Sequence, residues 1–224
     1  YEFTREDMDA FAIESVNRAQ RAVGEGTFAA EIAPVTIKSR RGEVTVSEDE
    51  TPGNVKIDKI AALRPAFRKD GTVTAATSSS ISDGAAAVIL MRQSEANRRG
   101  IKPLARIVAH SAFAQQPAWF TTAPIFALKN LHDKLSWTPE DVDLYEINEA
   151  FAVVTMAAMR DVGIEHAKVN INGGACALGH PIGATGCRIT VTLLHALLAR
   201  SMQRGIATQC IGGGEATAVA LETL

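Results

Sequence analysis

Cysteine, aromatic side chains and long apolar runs are all scarce in this sequence, and each scarcity excludes something. Three cysteines, Cys176, Cys187 and Cys210, are an odd number and too few for a disulfide framework in 224 residues, so a reducing compartment is expected. No apolar run reaches the roughly 18 to 20 residues of a membrane helix. The first residues do not pass from a basic segment into an apolar one, so a cytoplasmic protein with no membrane partner is expected. Charge is not in excess either: a formal net charge of -2 speaks against a nucleic-acid partner. The two local charge runs, KSRR at 38–41 and SEDE at 47–50, read as solvated hairpin surface rather than a phosphate site. Cys176, His180 and Cys187 invite a metal reading, but no paired C-x-x-C is present and the glycines and Pro181 break any helix that would align them. No metal is expected.

What the chain does have is 46% hydrophobic and 21% charged residues, ordinary for one or two globular domains with a sizeable core. Thr4, Glu6 and Asp7 make a helix start, and Met8, Phe11, Ala12, Ala19, Ala22 and Val23 recur at helical spacing, which predicts a helix over 5–23. EIAPVTIKS and EVTVS alternate about Arg41-Gly42, which predicts a β-hairpin with one half-buried face. TVTA at 72–75 reads as a short strand, and AAAVILM at 85–91, apolar without alternation, as a strand covered on both faces. A helix ends at Gly100, and Pro103 marks a domain junction. Beyond it ARIVAHSAFA, DLYEI, KVNIN, GIATQCI and ATAVALE read as strands. Helices are expected over 121–135, from Pro139, through NEAFAVVTMAAMRDVG and over 183–200, with Thr122 and Thr138 as caps. Strands alternating with helices predict a layered α/β domain with helices on the sheet.

The stretch NINGGACALGHPIGATGCR, residues 170–188, holds five glycines and one histidine and almost no charge. It reads as a buried turn that holds one imidazole in one orientation. His180, between Gly179 and Pro181, is either a catalytic or ligand-orienting group or a structural histidine. Cys210 ends an apolar strand just before three glycines, Gly212 to Gly214, whose backbone N–H groups could serve an oxyanion. A cysteine there is equally a small buried hydrophobe. Asn148 opens an apolar helix, as an N-cap or as a polar group presented from the helix start.

NEAFA at 148–152, NINGGACALGHPIGATGCRI at 170–189 and CIGGG at 210–214 together resemble the thiolases, the acetyl-CoA acetyltransferase and 3-ketoacyl-CoA thiolase family. LRPAF, KDGTVTA and SDGAAA resemble the same family in the same order. The resemblance implies a thiolase-like layered α/β/α fold and Claisen chemistry on CoA thioesters, with coenzyme A as substrate and no other cofactor. It implies that His180 activates a nucleophilic cysteine and donates to the thioester oxygen. Asn148 would hold a water completing that oxyanion hole, Cys210 would move the α-carbon proton, and the Gly212 N–H would serve a second oxyanion hole. Ser79 and Phe67 would line the pantetheine and adenine region of CoA, with Ala150 and Phe151 near the acyl end. A homo-dimer or tetramer is the implied assembly.

The resemblance also implies a departure. Family members carry the nucleophilic cysteine in an N-terminal half, and none of Cys176, Cys187 or Cys210 stands in that context. The expected organisation is therefore the remainder of a CoA-binding loop domain over 1–80, the last strand and helix of the N-terminal half over 81–102, and a complete C-terminal half over 103–224. With Tyr1 first, the chain reads as an inactive fragment of an acyl-CoA acyltransferase. The alternatives are a non-catalytic CoA-binding or assembly module, or a condensing enzyme of the ketoacyl synthase type, against which Cys210 in CIGGG speaks.

Overall fold

A capped helix and a four-stranded sheet organise the chain, which the computed structural model describes over residues 1–40 and 42–224. Arg41, part of the expected hairpin turn and of the KSRR run, lies outside the described residues. Helix α1, Arg5–Gly24, begins at a reciprocal cap in which the Thr4 hydroxyl accepts from Asp7 N at 3.1 Å and the Asp7 carboxylate accepts from Thr4 N at 3.0 Å. Its Met8, Phe11, Ala12, Val16 and Ala19 recur every three or four residues and are buried. That stripe packs on α5 (Ala152–Val162) and on the short α6 (Ala175–Leu178).

The sheet has the order β3-β6-β5-β4, with β3 Ala105–Ala114, β4 Leu144–Ile147, β5 Arg204–Ile211 and β6 Glu215–Thr223. β3 and β5 run antiparallel to β6, whereas β4 runs parallel to β5 with Ile147 opposite Thr208. Helix α4, Ala123–Leu135, covers one face with α5, and α7, Thr185–Ala199, covers the other. The period-two alternation of strand side chains divides the core accordingly. Tyr145, Ile147 and Ile206 pack with Leu128 and Leu131 of α4. Leu144 and Ala207 pack with Ile189, Leu193 and Leu197 of α7. β4 is buried along its whole length, including Glu146.

Most expected elements form where the pattern places them, and five readings need correction. The hairpin pairs β1 (Val35–Ser39) with β2 (Gly42–Val46), but every residue of both strands is exposed, so neither face is half-buried. Residues 85–91 form no strand: among the described residues no strand runs beside them, and Ile89 and Leu90 stand 88% and 69% exposed. A strand needs a neighbour to accept its ladder, and an apolar run cannot supply one. TVTA makes no ladder and shows one backbone bond, Ala66 N to Val73 O at 2.8 Å. KVNIN reduces to a single bridge from Val169 to Tyr145. Asn148 does not cap a helix, because α5 begins four residues later with Phe151 in the N-cap position. The helix of residues 93–99 forms as α3 (Gln93–Arg99), ending at a left-handed Gly100, and TPGN at 51–54 makes the one-turn α2.

Candidate active site

Parallel pairing of β4 with β5 sends both strands to the same edge of the sheet, and the chemistry gathers there. Asn148 follows the last residue of β4, its N–H donating to Thr208 O at 3.0 Å, and Cys210 lies two residues further along β5. Polar groups at the carboxyl ends of parallel strands, where the chain leaves the sheet, are the usual places for ligands in α/β folds. The glycine-rich loop brings His180 to this edge, with Nε2 at 3.4 Å from Asn148 Nδ2. The Asn148 Oδ1 atom is buried and has no protein partner. His180 Nδ1 lies 2.6 Å from the Thr185 hydroxyl. Its backbone N–H donates to Ser80 O at 2.9 Å, which runs the hydroxyl-rich segment alongside the loop.

That segment carries the other candidates inward. Ser79 donates twice to Ala150 O, from its N–H and its hydroxyl, both at 3.1 Å. Ser78 bridges to Phe151, and the Phe151 ring stands 6.1 Å from Phe67 in an edge-on arrangement. Phe67 is 72% exposed, so an aromatic face is open to solvent beside Ser79, Ala150 and Phe151. Gly212 lies in the exposed turn between β5 and β6. His180 with Asn148 and Ser79 with Ala150 are thus in direct contact, as are the two phenylalanines. Cys210 and Gly212 share the edge through β5 without a hydrogen bond to His180 among the described residues.

Burial sets the protonation of the two titratable candidates, His180 and Cys210. It lowers the His180 pKa below the usual imidazole value, with the Arg188 charge adding to the effect, so the ring is neutral at neutral pH. Burial raises Cys210 to about 11, so it rests as a thiol, and its thiolate is a strong base. Of the residues in the metal reading, Cys176 Sγ contacts Glu149 O at 3.9 Å, and the two His180 ring nitrogens face Asn148 and Thr185.

Three groups of the site escaped the sequence reading. Thr185 is five residues beyond His180, in the first turn of α7. Glu149, beside Asn148, is buried and accepts from Ser15 Oγ at 2.7 Å, Asn170 Nδ2 at 2.8 Å and Cys176 N at 3.0 Å. Arg188 stands 3.9 Å from buried Glu146, and in a cavity of ≈510 Å³ beside the His180 loop it meets Glu31 and Thr192. The only sequence signals were their spacings from His180 and Asn148.

The buried carboxylates lead to a measurable pH dependence. Burial lifts Glu31 to about 7 and Glu146 to about 8, against the partial relief of Arg188. Both folded-state values exceed the unfolded one, so the stability they contribute is complete below about pH 4.5 and is lost as pH rises through 7 and 8. His132, His166 and His180 are lowered by burial and act in the opposite sense, and their contribution is complete above about pH 6.5. Between about pH 6.5 and 8.5 Glu31 and Glu146 act together with Glu149, which burial also raises, and Tm is expected to fall. Glu146→Gln should flatten that slope in a calorimetric pH series, and a wild-type Tm that rises across the window would contradict the assignment.

Residues 1–94 match the family model for the thiolase N-terminal domain and residues 101–223 that for the thiolase C-terminal domain. The chain belongs to the thiolase family. It is similar to a probable acetyl-CoA acetyltransferase of Dictyostelium discoideum, 49% identical over 100% of this chain and 54% of that protein. It is similar also to the cytosolic acetyl-CoA acetyltransferase of Mus musculus, 48% identical over 99% of this chain and 57% of the other. The fold matches the crystal structure of the Bacillus anthracis acetyl-CoA acetyltransferase at a TM-score of 0.97 and 45% identity, covering 100% of this chain and 57% of that one. A thiolase of Ascaris suum in complex with coenzyme A matches at a TM-score of 0.89 and 39% identity, again over 100% and 57%. The chain spans about half the length of the curated relatives it matches. Its α/β sheet with helices on both faces is thus the thiolase fold expected from the sequence.

Proposed function

We propose that the complete protein is an acyl-CoA acyltransferase that forms or cleaves 3-ketoacyl-CoA, and that these residues supply its acid–base and oxyanion groups. The observation that carries this is the meeting of Asn148 with His180 at the end of β4, beside the strand that ends in Cys210. A cysteine outside these residues would take up the acyl group. Its thiol proton passes to the neutral His180, its sulfur attacks the thioester carbonyl, and CoA leaves with the proton His180 returns. Once the thiol proton of Cys210 has passed by way of solvent to the neutral His180, the Cys210 thiolate takes the α-proton of a second acyl-CoA; the carbanion attacks the acyl-enzyme, and the cysteine released as thiolate takes the proton back from His180. Oxygen charge in both steps would be met by donors: His180 with a water on Asn148 in one, and the Gly212 N–H in the other. One such donor contributes about 3 to 4 kcal/mol. Ser79, Phe67, Ala150 and Phe151 form the face on which the pantetheine and adenine of CoA would lie, the exposed Phe67 ring being suited to stacking.

CoA enters as substrate, and this chemistry asks for no further cofactor. The assignment divides the chain into a loop-domain part over 1–80, the end of an N-terminal half over 81–102 and a C-terminal half over 103–224. A homo-dimer or tetramer in the cytoplasm, serving fatty acid metabolism, accompanies the reading. The test is thiolysis of acetoacetyl-CoA by CoA, followed by loss of the Mg²⁺–enolate absorbance. The complete protein should turn over and homogeneous 224-residue protein should not. Turnover by the 224-residue chain would refute the assignment of the nucleophile to residues outside it.

A further inference from the structure

The contacts around His180 favour one arrangement of its protons. Thr185 is fully buried, and its Oγ1 lies 2.9 Å from Pro181 O and 2.6 Å from His180 Nδ1. A carbonyl oxygen only accepts, so the single hydroxyl proton of Thr185 is donated to Pro181 O. The 2.6 Å contact then needs its proton from the ring, which makes Nδ1 the N–H nitrogen and leaves the lone pair on Nε2. Pro181 O also accepts from Ala184 N at 2.7 Å and Thr185 N at 2.9 Å, so the deciding contact is at the other ring nitrogen: the opposite tautomer would set an Nε2–H against the N–H₂ of Asn148 at 3.4 Å, donor against donor.

We propose that Thr185 is a positioning residue for His180: by donating to Pro181 O and accepting from Nδ1–H, it aims the Nε2 lone pair into the cleft beside Asn148. The consequence for Asn148 is that its N–H₂ faces Nε2 at 3.4 Å, so its buried, unpartnered Oδ1 is the atom offered to a donor in the cleft. When Nε2 takes a proton, Nδ1–H stays on Thr185, so the same contact serves the neutral ring and the imidazolium without any group turning. A hydroxyl in the first turn of α7 can do this because Pro181 O is one helical turn earlier, the distance at which threonine back-bonds in a helix.

The inference rests on the proposed function only for its kinetic consequence; the tautomer is a property of this chain. In the ¹⁵N-histidine-labelled 224-residue protein, long-range ¹H–¹⁵N correlations above the His180 pKa should show a pyrrole-type Nδ1 and a pyridine-type Nε2. The reverse pattern in the wild type would overturn the proposal without any variant, so it remains testable even where a variant does not fold. Thr185→Val should allow the Nε2–H form to appear, and Thr185→Ser should restore the wild-type spectrum. In the complete protein Thr185→Val should lower kcat by about 10- to 100-fold, the usual scale for loss of an orienting hydrogen bond, with KM little changed and Thr185→Ser recovering most of it. A Thr185→Val protein with an unchanged tautomer and kcat would overturn the proposal. A wild-type spectrum as expected in a complete protein without thiolysis would leave the tautomer standing and remove the proposed function instead.

Discussion

Gly174→Ala is expected to destabilise the fold by about 1 to 3 kcal/mol or more, the cost of overpacking a buried, hydrogen-bonded site. The backbone at Gly174, with φ -128° and ψ -161°, is one that alanine adopts freely, so the cost is steric. A Cβ there would overlap the carboxyl group of Glu149. That carboxylate cannot move aside cheaply. It is buried and holds Ser15 of α1, Asn170 of the loop and the Cys176 N–H of α6, while Gly174 N itself donates to Ser15 Oγ at 3.0 Å. One carboxylate thus ties α1 to the glycine-rich loop, and a single methyl would break the tie. Urea unfolding should show the midpoint lowered with m retained. In a Glu149→Ala background the same substitution should cost less than about 1 kcal/mol, because a double-mutant cycle removes the clash together with its partner. Equal costs in both backgrounds would show that Glu149 is not what the methyl meets.

Cys210→Ser in the complete protein is expected to slow exchange of the α-protons of acetyl-CoA by about 10²- to 10⁴-fold, the range for losing a positioned acid–base group. Acyl transfer to the nucleophilic cysteine should change far less. Burial already raises the thiol to about 11, which makes its thiolate basic enough to take a carbon-bound proton. Serine fills nearly the same space, but its hydroxyl is a much weaker acid, so no comparable base is available near neutral pH. Deuterium exchange followed by mass spectrometry measures the first step, and the burst of CoA release measures the second. Equal losses in both would remove Cys210 from its assigned role.

The local patterns that survive into the structure are those whose physics is contained in a few neighbouring residues. Thr4 with Asp7 caps α1 whatever the rest does. The alternation in GIATQCI and ATAVALE suits the strands β5 and β6, and ARIVAHSAFA forms β3. The buried loop around His180 is legible because some of its positions admit only glycine: Gly173 sits at φ +83° with its would-be Cβ 2.6 Å from the Ser15 carbonyl. The readings that fail are those that need a partner. Residues 85–91 have the composition of a covered strand but find no strand beside them among the described residues, and the hairpin alternates with both of its faces exposed.

The sequence by itself determined the family and most of the strands and helices, and it singled out His180, Cys210 and Asn148 as candidates, because these readings depend on residue type, spacing and backbone tolerance along the chain. Only the tertiary structure decided that Asn148 meets His180 rather than capping a helix, that Glu149 is a buried hub, and that the Thr185 hydroxyl lies against the imidazole. Asn148 and His180 are 32 residues apart in sequence, and Ser15 and Glu149 are 134 apart. Such contacts depend on how the parallel pairing of β4 with β5 and the docking of α1 place remote backbone, which no periodicity within one segment encodes.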